Sequence, residues 1–361
     1  MKIRCFAVCV AHLLVYAGES RLAVPQNIPA SAASAAFQPE VSSDTFTNPL
    51  LPGGADPWVL LWKGNYFYMN TTQRNLTLWK TRDLGDLKDA QKKVVWTPEP
   101  GQPWSAGVWA PEIHRWGGKW YIYFAADAGQ NESHRIFVLE NASEDPIDGE
   151  WVLKGKVADA TDKWAIDADL FEVNRVHYLL WSGWKGDTNG EQDIFIARMS
   201  NPWTIDSPRT LISAPQYPWE KVGDLPRGLH VDVNEGPEAL IHDGNIFVFF
   251  SASGCWTDHY ALGAVVASTK ANLLDASSWT KFDQPFLSSN PAHSIYAPGH
   301  NGFFKSPNGK QDWIIYHANS APGQGCGGHR SPRMQRFTWN ADGTPNFGEP
   351  VAADVPLQKP R

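Results

Sequence analysis

Asp56-Pro57-Trp58-Val59-Leu60-Leu61, then Lys63-Gly64-Asn65, then Tyr66-Phe67-Tyr68 reads as a polar residue, a short apolar strand, a turn and an aromatic-rich strand. The same order returns four more times. Trp109-Ala110-Pro111-Glu112-Ile113-His114 leads through Gly117-Gly118 into Trp120-Tyr121-Ile122-Tyr123-Phe124, and Asp167-Ala168-Asp169-Leu170-Phe171 leads through Asn174-Arg175 into Tyr178-Leu179-Leu180-Trp181. Glu235-Gly236-Pro237-Glu238-Ala239-Leu240-Ile241 turns at Asp243-Gly244-Asn245 into Ile246-Phe247-Val248-Phe249-Phe250. His300-Asn301-Gly302-Phe303-Phe304 turns at Asn308-Gly309 into Trp313-Ile314-Ile315-Tyr316. Gly- and Asn-rich turns between β-prone runs are hairpin signals. Recurrence at intervals of roughly 55–70 residues leaves room for four strands in each unit. No long stretch has helical periodicity. The pattern predicts an all-β chain, a five-bladed β-propeller over residues 46–361. A β-sandwich with look-alike hairpins is the alternative, and it does not explain why the polar residue recurs at one place in each unit.

Composition agrees with an all-β core. The chain of 361 residues is 42% hydrophobic and holds 18 Trp, 17 Phe and 10 Tyr. Aromatics favour strands, and their faces also stack on sugar rings; both readings stand. The net charge of −7, with no basic run, argues against nucleic acid and anionic membranes as partners.

Lys2 and Arg4 precede an apolar stretch from Cys5 to Ala17, which predicts a secretory signal peptide over residues 1–17 and a secreted, extracellular protein. Residues 18–45 are expected to be a poorly ordered lead-in. Removing the leader leaves Cys255 and Cys326, either a disulfide or two separate thiols. Asn70, Asn75, Asn131 and Asn141 lie in glycosylation sequons.

In a propeller the inner strands converge on one axis, so Asp56, Asp167 and Glu235 would face one cavity. Three carboxyls there cost free energy unless they serve a purpose. Glycoside hydrolysis is such a purpose, since it needs one carboxylate and one carboxylic acid. Asp169, Glu112 and Glu238 receive no catalytic role. Glu238 is expected to face away from Glu235, three positions along an extended strand. Trp58, Trp109 and Trp256 are candidate sugar-stacking walls or core residues.

The segments Gly53-Gly54-Ala55-Asp56-Pro57-Trp58-Val59, Trp109-Ala110-Pro111-Glu112-Ile113, Ala165-Ile166-Asp167 and Asn234-Glu235-Gly236-Pro237, followed by Gly299-His300-Asn301 and His329-Arg330-Ser331-Pro332-Arg333, resemble glycoside hydrolase family 43. The resemblance implies a five-bladed propeller that hydrolyses with inversion. It makes Asp56 the general base, Glu235 the general acid, and Asp167 the residue that tunes and orients the acid. It places Arg330 and His300 against the substrate. No cofactor is required, but a calcium or sodium ion at the axis, beside His300, is open alongside a metal-free His300. The branch resembled most is that of α-L-arabinofuranosidases acting on arabinan or arabinoxylan of the plant cell wall, or on arabino-oligosaccharides. A β-xylosidase, an endo-arabinanase and a non-catalytic sugar-binding propeller are the alternatives. A monomer is expected.

Overall fold

The computed structural model describes residues 44–361. The expected signal peptide and nearly all of the lead-in lie outside these residues, as do Cys5 and Cys9. Five antiparallel blades follow one another along the chain, the third and fourth joined by a short parallel pairing of Glu191 and Gln192 with Asp232 and Val233, and each starts with a long inner strand: Ala55–Trp62, Ala106–Trp116, Ala165–Val173, Asp232–His242 and Tyr296–Lys305. Each inner strand pairs with the aromatic-rich strand that follows it: Asn65–Thr71, Lys119–Asp127, Val176–Gly183, Asn245–Ala252 and Asp312–Asn319. The inner strands touch in a ring, first to second and onward, with the fifth returning to the first. That closure makes the molecule a five-bladed propeller.

The turns that drew attention in the sequence build these hairpins. Lys63-Gly64, Asn174-Arg175 and Asp243-Gly244 each connect two strands with both residues at positive φ, as does Gly117-Gly118. This geometry matches the right-handed twist of the flanking strands.

Alternation along the aromatic-rich strands explains the number of large side chains. Ile246, Val248 and Phe250 enter the core shared with blade three, whereas Phe247 and Phe249 enter the core shared with blade five. Each blade is thus buried on both faces, and its strands read as nearly continuous apolar runs rather than alternating ones. Five such clusters, one between each pair of neighbours, account for most of the aromatic residues as core.

The two ends of the described chain meet. Thr45–Phe46 pairs with Leu357–Gln358. Asn48 then clamps blade five through both its carboxamide atoms, bonding Met334 O at 2.9 Å and Met334 N at 3.0 Å. The outer strand of blade five is Pro345–Asn346.

Folding also sorts the sequons. Asn70 is buried and its amide donates to Thr71 O; Asn141 is buried and donates to Pro146 O and Asp148 O. In the folded chain neither offers a carboxamide to a glycan, which corrects the expectation for these two. Asn75 and Asn131 are half-buried at the surface.

Candidate active site

One local device positions the site. Every inner strand carries a bulge at the same height, where two residues oppose one on the partner: Asp56-Pro57, Ala110-Pro111, Asp167-Ala168, Gly236-Pro237 and His300-Asn301. The first residue of each pair has a left-handed backbone, with φ between 40° and 58°. Non-glycine residues held there cost about 1–3 kcal/mol each and cluster at functional sites. Such bulges re-aim side chains. Proline fills the second position three times, where no ladder hydrogen bond is lost. A Cβ on Gly236 would lie 3.0 Å from His300 Nδ1, so the axis is crowded there.

The bulge corrects the register read from the sequence. Gly236, not Glu235, is equivalent to Asp56 and Asp167; Glu235 stands one residue earlier. It also corrects Glu238. Glu235 pairs with Ser251 and Glu238 with Phe249, two apart on the partner strand, so the extra residue returns both to one face of the sheet.

Asp56, Asp167 and Glu235 line one cavity of about 280 Å³ together with His300, Arg330, Trp109 and Trp256. Asp56 is held on all sides. Thr71 Oγ1 donates to its Oδ2 at 2.5 Å, Arg330 Nη1 donates to Oδ1 at 3.1 Å, and His300 Nδ1 and His317 Nδ1 each lie 3.4 Å from Oδ1. The Asp56 N–H donates to His317 Nδ1 at 3.1 Å, so that nitrogen is unprotonated. Burial pushes the Asp56 carboxyl up, but the Arg330 charge, with the Thr71 hydroxyl, outweighs it and holds the group well below the ordinary range.

Glu235 has the opposite environment. Burial, aided by the charge of Asp56, pushes it up to about 7, although the Tyr260 hydroxyl donates to its Oε1 at 2.8 Å. Asp167 is also raised, by burial and by Glu235 and Asp56, while the Gly236 N–H donates to its Oδ2 at 3.0 Å. Two carboxyls whose environments push them apart within one pocket can serve as base and acid.

Below this layer sits a second one, outside the pocket lining. Glu112, His114 and Asp169 are buried, and each offers a ligand atom within 4.8 Å of the others. Glu238 joins them electrostatically, and its Oε2 has no partner among the described residues. Burial, then the neighbouring carboxyls, raises Glu112 and Glu238; burial pushes Asp169 up to about 7. Two carboxylate oxygens and one imidazole nitrogen at this spacing fit a small cation better than His300, whose Nδ1 faces Asp56.

Among the tryptophans, Trp109 and Trp256 line the pocket. Trp109 stacks on His134 at 3.9 Å and donates to Gln73 Oε1; Trp256 donates to Asp224 O. Trp58 does not line it. Its indole donates to Ile113 O, leans on the His114 ring, and packs in the core between blades one and two. Trp58→Ala should therefore cost about 3–5 kcal/mol of stability in denaturant melts while leaving KM unchanged, whereas Trp256→Ala should raise KM with little change in stability. Cys255 and Cys326 are bridged and border the pocket, tying the loop of blade four to that of blade five.

Several site residues lay outside the sequence reading: Thr71, Ser251, His317, Tyr260, Gln73 and Trp164. Thr71, Ser251 and His317 do carry a signal. Each sits opposite the residue that precedes a bulge, near the end of the aromatic-rich strand.

A lowered and a raised carboxyl lining one pocket of a closed β fold are what glycoside hydrolysis requires. The chain belongs to glycosyl hydrolases family 43, whose sequence model matches residues 46–345. It is 40% identical to an extracellular exo-α-(1→5)-L-arabinofuranosidase of Streptomyces avermitilis, over 89% of this chain and 66% of that protein. A second protein of that name, from Streptomyces chartreusis, is 37% identical over 76% of this chain and 82% of its own length. The crystal structure of an α-L-arabinofuranosidase from Lactobacillus brevis superposes with a TM-score of 0.79 at 32% identity, covering 86% of this chain and 98% of that one. The chain thus spans just under two thirds of the S. avermitilis relative.

Proposed function

We propose that this protein is a secreted, exo-acting α-L-arabinofuranosidase that releases terminal arabinofuranosyl residues from arabinan or arabinoxylan with inversion. The observation that carries this reading is that Asp56 and Glu235 line one small pocket, Asp56 bonded by Arg330 and Thr71 that favour its carboxylate and Glu235 buried so that its acid form is favoured. Asp56 takes a proton from water while the water oxygen bonds to the anomeric carbon. Glu235 gives its proton to the departing glycosidic oxygen as that bond breaks. Asp167 holds the acid's surroundings, and Arg330 and His300 offer donors to sugar hydroxyls. A cavity of about 280 Å³ lies just below the roughly 300–1,000 Å³ of sites for drug-sized ligands, which suits one terminal sugar rather than a long chain. The names of the Streptomyces relatives support the arabinose assignment, the exo action and the extracellular setting. The enzyme acts as a monomer, without nucleic acid, membrane or required cofactor. A calcium or sodium ion held by Glu112, His114 and Asp169 would neutralise buried charge below the pocket and take no part in bond cleavage.

The nitrophenyl glycosides of α-L-arabinofuranose and β-D-xylose test the substrate. Preference for arabinose is expected; preference for xylose overturns the assignment. The pH profile tests the site. Asp56 must be ionised and Glu235 protonated, so kcat/KM should fall as pH rises through about 7. On the acid side it should persist below about 3.9, where an ordinary Asp is half protonated.

A further inference from the structure

We propose that Tyr260 is the positioning residue of the acid, fixing which oxygen of Glu235 carries the proton delivered to the leaving sugar. The proposal rests on the hydrolase reading above. Tyr260 is 1% exposed, and its hydroxyl donates to Glu235 Oε1 at 2.8 Å. Its direction is set from behind. The backbone N–H of His300 has only a proton to give, and it donates to Ser251 Oγ at 2.7 Å. The Ser251 side chain acts on the phenol as a donor, opposing the rise that burial gives it. The phenol proton is then left for Glu235. With Oε1 occupied as an acceptor, the acid's own proton belongs on Oε2. Chains of this kind polarise one another, and a shared direction strengthens each bond.

The ring has a prepared place. It lies parallel to the His317 imidazole, with centroids 5.8 Å apart and planes 6° from coincidence. His317 Nδ1 in turn receives the Asp56 N–H. One stacked pair therefore braces both ends of the reaction, the acid through the phenol and the base through the imidazole. Gly299 makes room for it: a Cβ there would lie 2.2 Å from Tyr260 Cε1. Across the ladder Ser251 faces Glu235 itself, so phenol, serine and acid are locked by one register.

Tyr260→Phe keeps the ring and its stack and removes one hydroxyl. On an arabinose disaccharide, whose leaving sugar needs the proton, kcat should fall about 100-fold, the low end of what proton transfer supplies. On the nitrophenyl arabinofuranoside, whose leaving group needs little protonation, the loss should stay under about tenfold. The basic limb of kcat/KM should move to higher pH, because the lost hydrogen bond favoured the carboxylate, and the acid limb set by Asp56 should stay in place. Ser251→Ala should show the same substrate bias at smaller size and serves if Tyr260→Phe melts early. Equal losses on both substrates with an unmoved basic limb, in a folded variant, would reduce Tyr260 to packing and overturn the proposal. Failure of the wild-type protein to cleave either substrate would instead sink the hydrolase reading, so the two failures are distinguishable.

Discussion

Asp56→Asn should lower kcat on arabino-oligosaccharides by about 10⁴-fold, the upper end of what a proton-transferring group contributes. The substitution keeps the shape of the side chain and one acceptor oxygen for Arg330, while the Thr71 hydroxyl, which donates to the other oxygen, has to turn and accept from the new amide. It removes the ability to take a proton from water. Of the three carboxyls in the pocket, only Asp56 lies below its ordinary range, because the Arg330 charge and the Thr71 hydroxyl offset its burial. Asp167 and Glu235 are both raised, and neither can replace it. Steady-state kinetics on a folded variant would check this, with KM nearly unchanged. Activity within tenfold of wild type would assign the base elsewhere.

Glu235→Gln should separate substrates by their leaving groups. A departing sugar alkoxide needs its proton, so kcat on an arabinose disaccharide should fall about 10²–10⁴-fold. Nitrophenolate leaves largely unaided, and hydrolysis of the nitrophenyl glycoside should fall much less. The variant should also lose the decline through pH 7, since that limb belongs to the group pushed up to about 7. Loss of equal size on both substrates would contradict the role of acid. Both experiments read the same electrostatic asymmetry from opposite sides.

The propeller was legible because its signals are local. Two-residue turns such as Lys63-Gly64 and Asp243-Gly244 announce the hairpins, and blades buried on both faces announce themselves as long apolar runs. The site was legible only in part. Counting along Glu235-Gly236-Pro237-Glu238 as a plain strand sends Glu238 away from Glu235, whereas the bulge at Gly236-Pro237 brings it back. A bulge shifts the phase of a strand by one residue, and spacing alone does not reveal that shift. Trp58 shows a second limit. An indole beside an acid in a motif looks like a sugar wall, but its N–H reaches Ile113 O and its ring fills a core. Tyr260 shows a third. It precedes its strand (Ala261–Ser268) and meets Glu235 only through the tertiary fold, so nothing in its immediate sequence marks it. Asn70 and Asn141 make the same point about motifs, because accessibility decides a sequon and the sequon does not record it.

The most direct test of the whole account is the anomer first released from linear α-1,5-arabinan, followed by proton NMR in the opening minutes of hydrolysis. A water activated by Asp56 on the face opposite the bond protonated by Glu235 predicts free β-L-arabinofuranose, released one sugar at a time, before mutarotation. First appearance of the α anomer, or of oligosaccharides in place of arabinose, would contradict it.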